Sequence, residues 1–400
     1  MVDDTKSPFS AAPSALGYLY QFRYALLATL RRLRDDTAFQ IAIETLDDVV
    51  FESGGRPAQI LQTKHHNSRA ASLADASPDL WKTLRIWTGL LLGGFTLTDT
   101  SLLLVTTSAA TTGQAASYLR ATGRDVSKAV QRLRFTAQTS QSKDNAPAYD
   151  AFRSLNEDQQ EQLIGAIVVV DNAPDILTAQ AELHRELRWS ADPEFVGALL
   201  ERLEGWWFGR TIRAMTNAVP SPIPSSEVDD TVNDLREQFK TESLPIDEDL
   251  LAVEVDAALY SDHVFVHQLR LFDASTRRIM TAARDYFRAF EQRSRWVRED
   301  LLLVGELDRY ERRLTEEWEV HFNAIAEELG EDASQAAMKK AAVAVYNWVE
   351  TQAAFPIRMG CTEPFVTRGS YQILSDRRRV GWHPEFGSRL RALLDGNAAQ

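Results

Sequence analysis

Four hundred residues, 44% of them apolar and 25% charged, describe a globular chain of two domains, three at most. The single cysteine, Cys361, excludes an internal disulfide framework and fits a reducing cytoplasm. No signal peptide opens the chain, and its most apolar run, Thr88 to Phe95, is too short to span a bilayer, so no membrane partner is expected.

Met1 to Ala15 is an arm of small residues and proline. Leu16 to Arg34 reads as a helix, with Tyr20, Tyr24, Leu27 and Leu30 at helical spacing. It ends on Arg31, Arg32 and Arg34, which suit the negative end of a helix dipole. Ile41 to Glu52 and Ala58 to Lys64 are β-rich runs on either side of Ser53-Gly54-Gly55-Arg56-Pro57, and are expected as the two strands of a hairpin. Pro78 starts a helix that continues through Leu92. Ser101 to Thr106 and Ala166 to Val170 are short buried strands. Ser108 to Arg134 reads as mostly helical and Thr136 to Ala148 as a loop. Ile176 to Leu187 and Pro193 to Met215 are helices. This alternation predicts an α/β domain over residues 1–216, with a mixed sheet flanked by helices.

Residues 217–262 read as a linker. Asn217 to Ser226 is rich in proline and serine, and Glu227 to Asp256 holds eleven acids against Arg236 and Lys240. Much of the net charge of −13 lies there, and the chain has no strongly basic tail to neutralise phosphates. Residues 263–400 read as a mainly α-helical domain. Ser275 to Gly330 forms one long or two consecutive helices and Ala333 to Ala354 another. Thr367 to Pro384 is expected as a small hairpin, with Tyr371, Ile373 and Val380 as strand residues, and Glu385 to Leu394 as a closing helix.

The chemistry concentrates between Glu44 and Lys64. Side chains alternate along a strand, so Gln62 and Lys64 project from one face. The hairpin would set them beside Glu44, Asp47 and Asp48. Carboxylates, an amide carbonyl and a lysine at a strand end form a site for Mg²⁺ (or Mn²⁺) and a phosphodiester. Asp48 is the first candidate ligand and Glu44 the second, the two sharing a face if the strand runs regularly. Gln62 would add its side-chain carbonyl, and Lys64 would be the catalytic lysine. The bland alternative is an edge hairpin with surface charges. His65 and His66, next to Lys64, read as solvated or phosphate-contacting. Lys82 and Arg85 on the following helix could face phosphate, whereas Trp81 and Trp87 read as core. His263 and His267 lack a third ligand for zinc. No GxxxxGK[ST] occurs, so an ATPase would be a separate subunit.

Four segments, GYLYQFRYAL, IETLDDVVFE, ILQTKHH and SLADASPDLWKTLRIW, carry a resemblance over Gly17 to Thr107. They resemble the double-stranded DNA endonuclease domain of CD-NTase-associated effectors and Lamassu effector nucleases, within the PD-(D/E)xK superfamily. The resemblance implies a restriction-endonuclease-like fold and an active site containing Asp48, Gln62 and Lys64, with Glu44 adjoining. Gln21 stands where the opening helix of the broader group often supplies a glutamate. Arg368 to Phe386, RGSYQILSDRRRVGWHPEF, resembles the C-terminal domain of ABC-three-component and Lamassu effectors. That resemblance implies docking on an SMC-like ATPase and an accessory subunit. The expectation is a Mg²⁺-dependent endonuclease of double-stranded DNA, an antiviral defence effector held silent by its partners and active as a homo-oligomer. The alternatives are a non-catalytic DNA- or partner-binding adaptor with a nuclease-like fold, and a repair endonuclease acting alone.

Overall fold

The computed structural model describes residues 12–65, 72–217, 221–330 and 332–397. The arm read over Met1 to Ala15 lies outside them as far as residue 11, and so does His66. The chain divides into two compact units, Met1–Leu235 and Arg236–Gln400.

The first unit runs α1 (Ala12–Arg32), β1 (Gln40–Ile43), β2 (Val49–Ser53), β3 (Arg56–Lys64), β4 (Ser72–Leu73), α2 (Pro78–Leu92), β5 (Ser101–Thr106) and β6 (Ala109–Ala110). After a 3₁₀ turn at Ala115–Leu119 come α3 (Val126–Thr139), α4 (Ala146–Ser154), α5 (Glu157–Ala166), β7 (Ile167–Val170), α6 (Ile176–Glu186), α7 (Val196–Thr216), β8 (Ile223–Pro224) and α8 (Ser225–Gln238). The main sheet is mixed, in the order β7-β5-β3-β2-β1-β8. β1, β2 and β3 pair antiparallel, while β3, β5 and β7 pair parallel, with Gln62 opposite Leu104 and Lys64 opposite Thr106. Gly54 and Gly55, at φ +59° and +74°, make the two-residue turn between β2 and β3. Both positions need the left-handed region, which glycine enters without steric cost.

One face of the sheet packs on α2 to α5. Val50, Ile60, Leu102 and Leu104 join Trp81, Leu84, Trp87, Leu133 and Phe152 in one buried cluster. Trp81 meets Tyr149 edge-on, with ring centroids 4.5 Å apart. The other face carries α1, α6 and α7. Here Arg32 of α1 donates to Gln59 Oε1 at 3.2 Å, and Trp207 of α7 donates to Phe22 O at 2.8 Å. Alternation along β3 therefore sends Ile60 toward α2 and Gln59 toward α1.

Several expectations change. Ile41 to Glu52 is two antiparallel strands rather than one, because the chain reverses over residues 44–48. Ser108 to Arg134 holds the short 3₁₀ element at Ala115–Leu119 between Gly113 and Gly123, at φ of +79° and +68°, and becomes α-helical only at Val126. Thr136 to Ala148 is helical at both ends, in α3 and α4. In the stretch read as a linker, β8 pairs with β1 through Gln40↔Pro224 and Ile41↔Ile223, and α8 follows.

The second unit contains α9 (Glu248–Ala252), α10 (Val264–Arg270), α11 (Thr276–Arg298), α12 (Glu306–Leu329), α13 (Gln335–Thr351), α14 (Pro364–Asp376) and α15 (Phe386–Asn397). Its core gathers Phe265, Leu269, Leu314, Val345, Tyr346, Tyr371, Leu374 and Trp382. The hairpin expected from Thr367 is instead α14, with Pro364 in its first turn. Residues 365–367 and 369–375 of this helix are all buried, so no polar face marks the helical period. α14 lies so close to α11 that a Cβ on Gly369 would stand 2.0 Å from Asp285 O. No described helix is long and apolar enough to cross a membrane.

Candidate active site

The connection between β1 and β2 builds the site. Glu44 sits at φ +53°, a left-handed conformation uncommon for a residue with a side chain. Its N–H donates to Asp48 O at 3.1 Å and closes the loop. Buried Gln21, from α1, clamps the same loop through Nε2, which donates to Glu44 Oε1 at 3.0 Å and to Asp48 O at 2.8 Å. The reversal breaks the regular strand on which Glu44 and Asp48 were expected to share a face. Glu44 is exposed and tied to Gln21.

Asp48 turns its carboxylate to β3. Oδ2 accepts from Thr63 N–H at 2.7 Å and from Thr63 Oγ1 at 2.7 Å. Both donors fix this carboxylate in one orientation. Asp47 is held from two sides: Oδ1 accepts from Asp48 N–H at 3.1 Å and Oδ2 from Trp87 Nε1 of α2 at 2.7 Å. Burial, then the charge of Asp48, pushes the Asp47 carboxyl up to about 7, against the pull of the Trp87 and Asp48 hydrogen bonds and of Lys64.

Lys64 closes β3 beside these acids. Burial draws its ammonium below the usual lysine range. Asp48 opposes this, Lys82 adds to it, and Asp79 and Asp47 oppose it more weakly. The same set of charges places Lys82 of α2 close to the lysine, while exposed Arg85 stands one turn further along α2. Gln62 is 4% exposed, and its Oε1 has no hydrogen-bond partner among the described residues. His65 lies with its ring centroid 4.7 Å from that of Tyr20, on the α1 side of the sheet.

Asp48 and Lys64 thus lie together at adjoining strand ends, with Gln62 two residues before Lys64 on β3, and Glu44 is joined to the Asp48 backbone directly and through Gln21. The structure adds the contacts of Thr63 and Trp87, and gives Asp47 and Gln21 defined hydrogen-bond partners. Thr63 lies between two residues already singled out, whereas the role of Trp87 depends on a contact forty residues away in sequence.

Among the described residues no three His, Cys, Asp or Glu side chains group to hold a metal ion. Mg²⁺, however, is commonly held by one or two carboxylates together with water and substrate phosphates. The Asp48 carboxylate and the buried Gln62 carbonyl oxygen, which lacks a hydrogen-bond partner among the described residues, are hard oxygen donors of that kind, so these residues fit such an ion completed by water and phosphate.

The first unit is thus a mixed α/β unit with an acid-and-lysine site at its strand ends, and the second is largely helical. Residues 265–390 match the model of C-terminal domain 7 (CTD7) of the ABC-three component (ABC-3C) systems. No curated protein matches the chain. Similar solved structures include the Acinetobacter baumannii Cap4 SAVED/CARF-domain containing receptor with the cyclic trinucleotide 2'3'3'-cAAA, at 14% identity and a TM-score of 0.34, covering 56% of this chain and 46% of that one. The same receptor with 3'3'3'-cAAA gives 14% identity and a TM-score of 0.32, covering 69% of each chain. The chain spans less than half the length of the first of these.

Proposed function

We propose that this protein is a metal-dependent endonuclease of double-stranded DNA with a restriction-endonuclease-like first unit, serving as the effector of an anti-phage defence complex. The observation that supports the reading is the charge of Asp48 acting on buried Lys64 at the end of β3, with a buried Gln62 Oε1 that lacks a hydrogen-bond partner among the described residues two positions earlier on the same strand. Asp48 and Gln62 would hold Mg²⁺ (or Mn²⁺), which when bound polarises a phosphodiester and acidifies water. Thr63 keeps the Asp48 carboxylate oriented. Lys64 is suited to orienting the attacking water and to meeting the charge that grows on the phosphate oxygens. Its lowered proton affinity also brings a lysine nearer to proton exchange. Lys82 and Arg85, exposed on α2, would take flanking phosphates.

The family match at residues 265–390 supports a role within a multi-component system. In this proposal the second unit docks on an SMC-like ATPase and an accessory subunit, which restrain the nuclease. One such site cuts one strand, so double-strand cleavage calls for two copies acting together.

A second reading, a non-catalytic adaptor that only binds DNA or a partner, draws on the double engagement of Asp48 Oδ2 by Thr63. Isothermal titration with Mg²⁺ or Mn²⁺ separates the two. Saturable binding that Asp48→Asn abolishes supports the nuclease. Absence of binding by a folded wild-type protein supports the adaptor.

A further inference from the structure

In the second unit a pocket of about 250 Å³ opens between α11 and the end of α14. Phe290, Arg293 and Val297 recur at helical spacing on α11, with Arg298 beside them. Ile373 and Arg377 close the pocket from α14, and no carboxylate lines it. Beneath it, guanidinium groups outnumber their counter-charge. Arg293, Arg377 and Arg379 all converge on the carboxylate of Glu311, whose side chain is 4% exposed. Arg293 also donates to Ser370 Oγ at 3.2 Å, while Arg377 reaches the two Glu311 oxygens at 2.9 and 3.2 Å. Arg298 is exposed and makes no ion pair among the described residues. One buried carboxylate shared by three guanidinium groups leaves the site positive, and a planar guanidinium left partly unpaired is a ready donor to an oxyanion.

We propose that this pocket receives an acidic peptide segment of a partner protein, with a carboxylate on Arg298 and Arg377 and a neighbouring apolar side chain against Phe290, Val297 and Ile373. Two features favour a peptide over a nucleic acid. The apolar wall of Phe290, Val297 and Ile373 has no counterpart in a phosphodiester backbone, and the small size of the pocket suits one carboxylate with an apolar neighbour rather than an extended polyanion. The site lies in the second unit and stands independently of the nuclease reading.

The test is methyl NMR on the full chain, following Ile373 and Val297 during titration with the dipeptide N-acetyl-phenylalanyl-glutamate amide, blocked at both ends so that the glutamate side chain is its one carboxylate. Saturable shifts of these methyls are expected. Affinity should fall at least fivefold with the glutamine analogue of the dipeptide and with Arg298→Gln. Arg298→Gln leaves the Glu311 network untouched, so its fold is secure. The double variant Arg298→Gln with Arg377→Gln should abolish the shifts. Absence of shifts, equal binding of the glutamine analogue, or undiminished binding by Arg298→Gln would each overturn the proposal. Stronger displacement by a short DNA duplex than by the dipeptide would also overturn it, and would reassign the arginines to nucleic acid.

Discussion

Asp48 and Thr63 are joined twice: one carboxylate oxygen accepts both the backbone N–H and the hydroxyl of Thr63, each at 2.7 Å. The acid on the β1–β2 connection is thereby fixed to the strand that carries Gln62 and Lys64. A hydrogen bond to a charged group is worth about 1.5–3 kcal/mol, so orientation of the carboxylate depends on a residue that would itself touch neither metal nor phosphate.

Thr63→Val keeps the shape of the side chain and removes one of those bonds. The fold should persist, and Mg²⁺-dependent plasmid cleavage should slow about tenfold, the equivalent of roughly 1.4 kcal/mol. Cleavage at the wild-type rate would mean that the hydroxyl plays no part in orienting Asp48.

Trp87→Phe fills most of the same space but leaves Asp47 without its indole donor. Chemical denaturation should show a loss of about 1–3 kcal/mol, because a buried carboxylate oxygen then lacks its partner. An unchanged midpoint would place the Trp87 contribution in packing alone.

Gly369→Ala puts a methyl group where Asp285 O stands 2.0 Å away, so α11 and α14 must separate. Overpacking of this kind typically costs about 1–3 kcal/mol. Thermal unfolding should start at lower temperature in the second unit, while a first-unit probe such as Trp81 fluorescence should be unaffected until higher temperature.

Glu306 and Arg358 give a pH signature. Burial raises the Glu306 carboxyl, but the Arg358 hydrogen bonds, the Leu303 N–H and the Arg358 charge outweigh it and hold the group below its usual 4.5. A depressed folded-state value contributes stability above the unfolded-state value, and that stability is lost as pH falls through the folded one. The stability gap between wild type and Glu306→Gln should therefore be full at pH 6 and shrink below about 4.5. A gap that stays constant down to pH 3 would contradict the assignment.

What the sequence shows is what local signals encode. Gly54-Gly55 between two β-rich runs marks a hairpin turn, and the apolar runs at Ser101–Thr106 and Ile167–Val170 are strands in the structure. The reversal at Glu44 carries neither glycine nor proline. It is made by a left-handed glutamate that Gln21 holds from another element, so no window of the sequence contains its cause. α14 hides its period because nearly all of it is buried, and its Tyr and Ile then mimic strand alternation. Asp48 and Lys64 are readable as neighbours because they flank one turn. Asp47 was undervalued because its partner, Trp87, comes from α2.

The most direct test is cleavage of supercoiled plasmid by purified protein with Mg²⁺, comparing wild type with Lys64→Ala at equal thermal stability. The account predicts conversion to nicked and linear DNA by wild type, abolished by EDTA, and at least about a hundredfold slower conversion by Lys64→Ala, which loses a charge aimed at the transition state. Equal degradation by the two proteins would contradict it.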